Sequence, residues 1–217
     1  MSLLCIENGK LWDGERFFHA NVLVNEETGL VEYIGPERQR AETVFDASDA
    51  IVSAGLVDAH VHLWGVSSDR YGMQAEMACL PFGVTACADA GAEKEGAQRL
   101  DCAAVRSCVF VPVEIRKNTP NLLAAEKLLC HYGSRAIGLK VYFDTTVSDV
   151  WDAAALKAVC AFAHTRGLRV MVHCSHAPVA MRELLSELGA GDILTHIYHG
   201  GENSAAEDDF ASLLRAQ

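Results

Sequence analysis

Short apolar runs alternate with amphipathic stretches over the part of the chain that follows Gly55. The apolar runs predict six buried strands, at residues 56–63, 84–90, 105–113, 136–143, 169–174 and 192–197. The stretches between the later runs predict three helices, at residues 119–133, 148–164 and 178–189, the first with Thr119 as its N-cap. Repeated strand–helix units imply parallel strands with right-handed crossovers. The pattern therefore predicts an α/β fold, either a doubly wound sheet or a (β/α)8 TIM-type barrel.

Residues 1–53 carry a different pattern, typical of an all-β segment. The turn dipeptides Asp13-Gly14 and Thr28-Gly29 separate short apolar or alternating runs, such as residues 20–24 and 30–34. Such turns between short runs predict hairpins. The chain is therefore divided into a β-rich segment, residues 1–53, and an α/β domain, residues 54–217.

Composition narrows the classes of function. Half of the 217 residues are hydrophobic, which is enough for a substantial core, and the formal charge of −11 disfavours nucleic acid and anionic membrane surfaces as partners. No apolar stretch approaches the roughly 18 residues needed to span a bilayer, and the first residues do not resemble a secretory signal. The eight cysteines form no C-x-x-C pair. We expect them to be reduced and buried in a cytoplasmic protein.

Five side chains suited to metal binding lie at or just past the C-terminal ends of the predicted strands: His60, His62, Lys140, His173 and His196. Because side chains two residues apart on a strand point to the same face, His60 and His62 can hold one ion from one side. The C-terminal ends of barrel strands converge on one mouth, whereas the first and sixth strands of an open sheet normally do not. The positions of the five residues favour the barrel and predict metal-assisted hydrolysis.

Lys140 is a charged residue within an otherwise apolar strand. A neutral lysine amine can react with CO2 to form an anionic carbamate whose two oxygens bridge two ions, and burial makes the neutral amine available by lowering its pKa. The alternative is a lysine whose charged end reaches solvent or a salt-bridge partner. Because imidazole suits zinc, the predicted cofactors are two divalent metal ions, expected to be zinc, with a CO2-derived carbamate on Lys140.

The other five histidines are not part of the predicted metal-ligand set. His176 and His199 follow the fifth and sixth predicted strands on loops, where they contact ligands or substrate or are ordinary loop residues. A single strand-end histidine is more often a core residue, so the metal-site prediction depends on the five candidates occurring together. The histidines given no role are His19, His131 and His164.

Four segments together resemble the amidohydrolase superfamily, and within it the dihydroorotase-like and deacetylase group with a carboxylated lysine. They are Gly55-Leu56-Val57-Asp58-Ala59-His60-Val61-His62, Gly138-Leu139-Lys140, Val172-His173 and Thr195-His196. The resemblance implies a (β/α)8 barrel over residues 54–217, preceded by the N-terminal part of a small β-sandwich at residues 1–53. It also implies that His60 and His62 bind the more buried ion. Carbamylated Lys140 would bridge the two ions, and His173 and His196 would bind the second.

The chain departs from this family in two ways. The family places an essential aspartate, a metal ligand and proton shuttle, at the end of strand eight, and only about six βα units are present here. The catalytic acid–base residue is therefore unassigned, and none of the acidic residues after strand six is given that role: Glu202, Glu207, Asp208 and Asp209. Trp64 stands where dihydroorotases usually carry an arginine that binds the substrate carboxylate. Residues 64–71, with Arg70 as their only cation, are either a lid over the site or an ordinary surface loop.

The predicted function is metal-dependent hydrolysis of amide-type C–N bonds, in which a metal-bridging hydroxide attacks the carbonyl of a small-molecule substrate. Resemblance of residues 191–200 to deacetylase-like members points to N-acyl amino acids or related acylated acids. The alternatives are cyclic amide hydrolysis of the dihydroorotase or hydantoinase type, deamination, and a polypeptide that is inactive by itself. We expect this chain alone to have very low activity, and to form a homo-oligomer or to pair with a complementing C-terminal polypeptide.

Overall fold

The computed structural model of the protein describes residues 2–63, 72–92, 100 and 104–205. The chain divides into two compact units, Met1–Gly55 and Leu56–Gln217. Among the described residues, no helix is both long enough and apolar enough to cross a membrane.

The first unit contains one five-stranded sheet. Its strands are β1 (Leu3–Trp12), β2 (Phe17–Asn25), β3 (Leu30–Gly35), β4 (Thr43–Asp46) and β5 (Ile51–Ser53). Antiparallel β1–β2 and β2–β3 pairs confirm the predicted hairpins, and β4 and β5 both pair with β1 in parallel. Gly14 and Gly29 have φ of 105° and 69°, a backbone conformation that glycine adopts without the steric cost of a Cβ. Since residues 2–55 form one sheet, the predicted β-sandwich is not confirmed.

The second unit contains a curled sheet of six parallel strands with helices between them. Its elements, in chain order, are β6 (Leu56–Val61), α1 (Ala75–Cys79), β7 (Val84–Asp89), β8 (Arg106–Pro112), β9 (Ile115–Arg116), β10 (Thr119–Pro120), α2 (Leu122–Tyr132), β11 (Ala136–Tyr142), α3 (Ala154–His164), β12 (Arg169–His173), α4 (Met181–Glu187) and β13 (Ile193–Thr195). The sheet order is β13-β12-β11-β8-β7-β6, and β9 and β10 form a separate small hairpin. All six predicted strands are present, each one to three residues shorter than predicted.

The two faces of this sheet have different environments. Leu139 and Val141 of β11 are fully buried and belong to the main core, which also contains side chains of α3 and α4 such as Leu156 and Leu184. The intervening Lys140 points to the other face because side chains alternate along a strand. That inner face carries a smaller cluster that includes Phe110 and Met171. Lys140 is thus held within the curl of the sheet, on the face that does not carry the helices.

The predicted helix starts are wrong, and for the first two helices the cause is a polar side chain that binds the backbone differently from the prediction. Thr119 was predicted to cap the first helix, but it lies in β10 (Thr119–Pro120), which pairs with Ile115–Arg116. The residue that caps α2 is Asn121, whose side chain accepts from the Ala124 amide at 3.1 Å. The next helix begins at Ala154 rather than near residue 148, because Asp152 accepts from the Ala154 amide at 2.8 Å. The third is shorter than predicted, Met181–Glu187. Gly133 and Gly167, with φ of 54° and 68°, stand at the predicted helix ends.

The cysteines of the described residues are all free thiols. Cys5, Cys79, Cys87, Cys160 and Cys174 are buried as expected. Cys108 is only partly buried and Cys130 is exposed, so the prediction of uniform burial is wrong for these two.

Replacing Gly138 in β11 by alanine is expected to destabilise the six-stranded sheet. A Cβ at this position would collide with the Arg169 carbonyl of the neighbouring strand and lie 2.7 Å from the Phe110 ring. Overpacking of this kind costs about 1–3 kcal/mol. Urea unfolding followed by circular dichroism should show a lower free energy of unfolding for Gly138→Ala. Gly200→Ala is the control, because its Cβ would meet no atom within 4 Å, and an equal loss in both variants would contradict the packing explanation.

Candidate metal centre

The parallel sheet brings all five predicted ligand residues to the C-terminal ends of its strands. His60 and Lys140 lie within β6 and β11, and His173 is the last residue of β12. His62 and His196 follow β6 and β13 directly. The strand register pairs Tyr142 with His173, and His173 with Thr195, so that these strand ends lie side by side.

The four imidazoles form a chain of close ring contacts. The ring centroids of His60 and His62 are 5.3 Å apart, and those of His60 and His196 are 5.5 Å apart. The His173 and His196 rings are closer still, at 4.5 Å. The first and last strands of the sheet thus deliver histidines to one place, as the barrel interpretation requires.

Lys140 is almost completely buried beside these rings, at 1% exposure. Its Nζ has no hydrogen-bond partner among the described residues and lies 5.5 Å from the centroid of the Tyr142 ring. Burial lowers the pKa of Lys140 to about 8, although the nearby Cys174 and Asp89 act to raise it. The prediction that this lysine reaches a salt-bridge partner is thereby disfavoured, and a neutral amine is accessible near neutral pH.

Burial and the charge of Lys140 also lower the pKa values of the four histidines. Burial, followed by the charges of Lys140, His62 and His196, lowers the pKa of His60 to about 4. The pKa values of His62, His173 and His196 are lowered as well, in each case first by burial and in part by Lys140. Because a metal ligand must be a neutral imidazole, these lowered pKa values favour the ligand form at neutral pH.

His196 has an unusual backbone conformation. Its φ of 65° places a residue with a Cβ in the left-handed region, a conformation that costs free energy and persists only where the surrounding structure enforces it. Such residues concentrate at functional sites. The turn after β13 therefore holds the His196 ring near His60 and His173 at a cost in backbone strain.

Asp144 is a residue of this region that sequence reasoning missed. It follows β11, its side chain is only 2% exposed, and Oδ2 accepts from His173 Nε2 at 3.0 Å and from His176 Nδ1 at 3.4 Å. Burial acts to raise the pKa of Asp144. The hydrogen bonds from Thr146, His173 and His176 outweigh that effect and lower the pKa to about 2. The signal that could have found it is an Asp followed two residues later by Thr, directly after a strand.

The two loop histidines, His176 and His199, lie near each other, with ring centroids 6.4 Å apart. His199 Nδ1 accepts a hydrogen bond from the Gly201 amide at 3.1 Å, and its buried Nε2 has no partner among the described residues. Since a neutral imidazole with an accepting Nδ1 carries its proton on Nε2, His199 presents a donor without an acceptor. Of the histidines given no role, His164 contacts Asp192 at 2.8 Å, away from these strand ends.

The donor set fits a metal centre, but the coordination shell is not closed. In the part of the chain that the structure describes, no three His, Cys, Asp or Glu side chains already surround a single point as metal ligands. Among the described residues the amine of Lys140 has no partner, and its charge contributes to the lowered pKa of His60. Trp64, Arg70, Glu207, Asp208 and Asp209 lie outside the described residues, and Glu202 is an exposed turn residue.

Comparison with known proteins identifies relatives of the chain, although no protein-family profile matches it. A deacetylase of Agrobacterium fabrum is 26% identical over 187 residues, which are 76% of this chain and 45% of that protein. A deacetylase of Brucella anthropi is 25% identical with the same coverage. A dihydroorotase of Latilactobacillus sakei is 38% identical over 60 residues, 26% of this chain and 14% of that protein. The chain spans about half the length of the two deacetylases.

Solved structures show the same fold. A dihydroorotase superimposes with a TM-score of 0.83 at 22% identity, covering 100% of this chain and 64% of that one. An adenine deaminase gives a TM-score of 0.80 at 20% identity, covering 98% and 62% of the two chains. A D-hydantoinase gives 0.64 at 19% identity, covering 85% and 42%.

The chain is similar to proteins of the amidohydrolase superfamily. These relatives include hydrolases that act on C–N bonds, and the structural neighbours are TIM-barrel proteins, which confirms the barrel class. In the described residues, the chain forms a curled half-barrel of six parallel strands. The metal-ligand roles of its five strand-end residues stay predictions.

The stability of the metal-free chain is expected to rise between about pH 8 and 10.5 because of Lys140. A pKa lowered from 10.5 to about 8 means that the unfolded chain binds more protons in this window. The free energy of unfolding therefore increases with pH there and is lost as the pH falls toward the folded pKa. At about 1.4 kcal/mol per pKa unit, the effect is roughly 3 kcal/mol.

Chemical unfolding at several pH values in CO2-free buffer, on the wild type and Lys140→Met, measures this contribution. The variant should lose the Lys140-dependent rise and be at least as stable as the wild type near pH 7. Lys157→Met, which alters an exposed lysine of α3, is the control and should follow the wild-type profile. Parallel profiles for the wild type and Lys140→Met would contradict the lowered lysine pKa.

Proposed function

We propose that this chain carries the metal-binding strand ends of a metal-dependent amidohydrolase that hydrolyses amide-type C–N bonds of N-acyl amino acids or related acylated acids. The observation that carries the proposal is the buried, unpartnered amine of Lys140 beside four imidazoles. A buried amine in this position is costly if it remains a lone ammonium, and a metal centre with a lysine carbamate removes that cost.

The proposed ligand assignment follows the strand positions. His60 and His62 would hold one ion from β6, and His173 and His196 would hold the second from β12 and β13. The neutral amine of Lys140 would add to the carbon of CO2: an N–C bond forms, one C–O π bond breaks to give C–O⁻, and one N–H proton goes to solvent. The resulting anionic carbamate would serve as a ligand. Bound zinc ions supply a water nucleophile that ionises near neutral pH and polarise a carbonyl group.

The other residues of the site would bind and orient the substrate. His199 offers an N–H group without an acceptor among the described residues, which suits a carbonyl or carboxylate oxygen of an acylated acid. The proton donor to the leaving nitrogen is not assigned among the described residues. Support for an acylated substrate comes from the two deacetylases, which each match 76% of this chain.

Cyclic amide hydrolysis is the second candidate. It is supported by the local 38% identity with a dihydroorotase over 60 residues. Both candidates break an amide-type C–N bond and require the same strand-end ligands, so the five proposed ligand residues do not discriminate between them. The discrimination has to come from substrate preference.

The carbamate bridge predicts that zinc and CO2 bind together. The 217-residue chain, freed of metal and then given zinc with bicarbonate, should take up two zinc ions and gain the mass of one CO2 in native mass spectrometry. Lys140→Ala should lose the added mass and bind zinc at least about 10-fold more weakly, because the bridging ligand is gone. Lys157→Ala is the matched control and should behave as the wild type. Full zinc occupancy in Lys140→Ala would reject the bridge.

Substrate preference separates the two candidate functions. Zinc-loaded protein incubated with N-acetyl amino acids, dihydroorotate and hydantoin should hydrolyse the acylated amino acids at least about 10-fold faster, measured as kcat/KM from product release. The reverse ranking would favour cyclic amide hydrolysis. Zinc uptake without turnover of any substrate would favour the partner-requiring polypeptide, and addition of a complementing chain should then restore activity.

A further inference from the structure

The carboxylate of Asp144 accepts four hydrogen bonds in the turn after β11. Oδ1 accepts from the Thr146 amide at 2.8 Å and from the Thr146 hydroxyl at 2.6 Å. Oδ2 accepts from His173 Nε2 at 3.0 Å and from His176 Nδ1 at 3.4 Å. The Thr146 contacts fix one carboxylate oxygen, and this leaves the other oxygen facing the two imidazoles.

These contacts determine which nitrogen of His173 carries the proton. A carboxylate oxygen can only accept, so His173 Nε2 must be the donor. A neutral imidazole has one donor and one acceptor nitrogen. His173 Nδ1 is therefore the nitrogen with a free lone pair, and it belongs to the ring that lies 4.5 Å from the His196 ring.

We propose that Asp144 is a positioning residue that holds His173 in the tautomer with Nδ1 free for a metal ion. This rests on the proposed function, since the free nitrogen is assigned to a metal. A hydrogen bond from a ligand imidazole to a carboxylate fixes the ring orientation and makes the ligand nitrogen more basic, and its loss typically costs 10–100-fold in metal affinity. His176, bound to the same oxygen, is anchored beside His173 by the same carboxylate.

A purely structural role for Asp144 is the competing explanation, because its carbonyl and carboxylate also organise the turn that contains Thr146, Val147 and Ser148. The protein offers a matched control at Asp192. Its side chain is fully buried, contacts His164 Nε2 at 2.8 Å and accepts from the Val170 and Gly189 amides at 2.8 Å. Asp192 is thus, like Asp144, a buried aspartate that contacts a histidine, but its partner His164 is not a candidate metal ligand.

Zinc titration of the metal-free 217-residue chain, by competition with a chromophoric chelator, tests the proposal. Asp144→Asn should weaken zinc binding about 10–100-fold, because an amide NH2 directed at Nε2 favours the proton on Nδ1 and blocks the ligand nitrogen. Asp192→Asn should change zinc affinity less than about threefold, whatever it does to stability. Equal losses of zinc affinity in the two variants would overturn the positioning role.

The double variant Asp144→Asn/His173→Ala shows through which residue Asp144 acts. If it acts through His173, the double variant binds zinc no more weakly than His173→Ala alone. Additive losses would contradict the proposal.

Nitrogen-15 NMR of the histidine rings in the metal-free protein gives a readout that needs no zinc. The wild type should show His173 protonated at Nε2 and not at Nδ1, and Asp144→Asn should reverse or mix the two tautomers. A wild-type His173 protonated at Nδ1 would overturn the inference. Failure of the wild type to bind zinc, with the Nε2 tautomer present, would instead reject the proposed metal centre while the Asp144–His173 contact stands.

Discussion

The buried amine of Lys140 is the constraint on which the site depends. A lysine side chain at 1% exposure, without a hydrogen-bond partner for Nζ among the described residues, is unfavourable as an ammonium. Its Nζ lies 5.5 Å from the centroid of the Tyr142 ring, on an inner face that also carries an apolar cluster with Phe110 and Met171. Burial disfavours the ammonium form of Lys140 and favours the neutral amine. The neutral amine is the form that can react with CO2, so the burial that costs stability also favours the form that the proposed carbamate requires.

Parallel strands gather the candidate ligand residues at one place. The C-terminal ends of the strands lie at the same end of the sheet, and the curl of six strands brings β6 and β13 together although they are its two outermost strands. The 5.5 Å separation of the His60 and His196 rings results from this closure. In a flat sheet with the same strand order, the same five residues would lie far apart.

The sequence predicted the strands and the strand-end residues well, because a buried parallel strand is a nearly continuous apolar run and a polar residue within it is conspicuous. Lys140 and the His60–His62 pair are visible for this reason. The helix starts were not predicted, since Asn121 and Asp152 compete with Thr119 and Ser148 for backbone amides in ways that depend on neighbouring turns. Asp144 could not be assigned a role, because its partner His173 lies 29 residues away and the contact exists only after β11 and β12 have paired.

Asp144 and Asp192 are two buried aspartates that each contact a histidine, and they show why a contact alone does not define a function. Asp192 and Asp144 are equally buried and each accepts from a ring nitrogen, so local chemistry does not separate them. They differ in what lies beyond the ring: His164 ends α3, whereas His173 ends a strand beside His196 and the Lys140 strand. In the first case the hydrogen bond serves the packing of a helix end. In the second the hydrogen bond places the proton on Nε2 of His173, which leaves Nδ1 as the nitrogen that we propose for the metal ion.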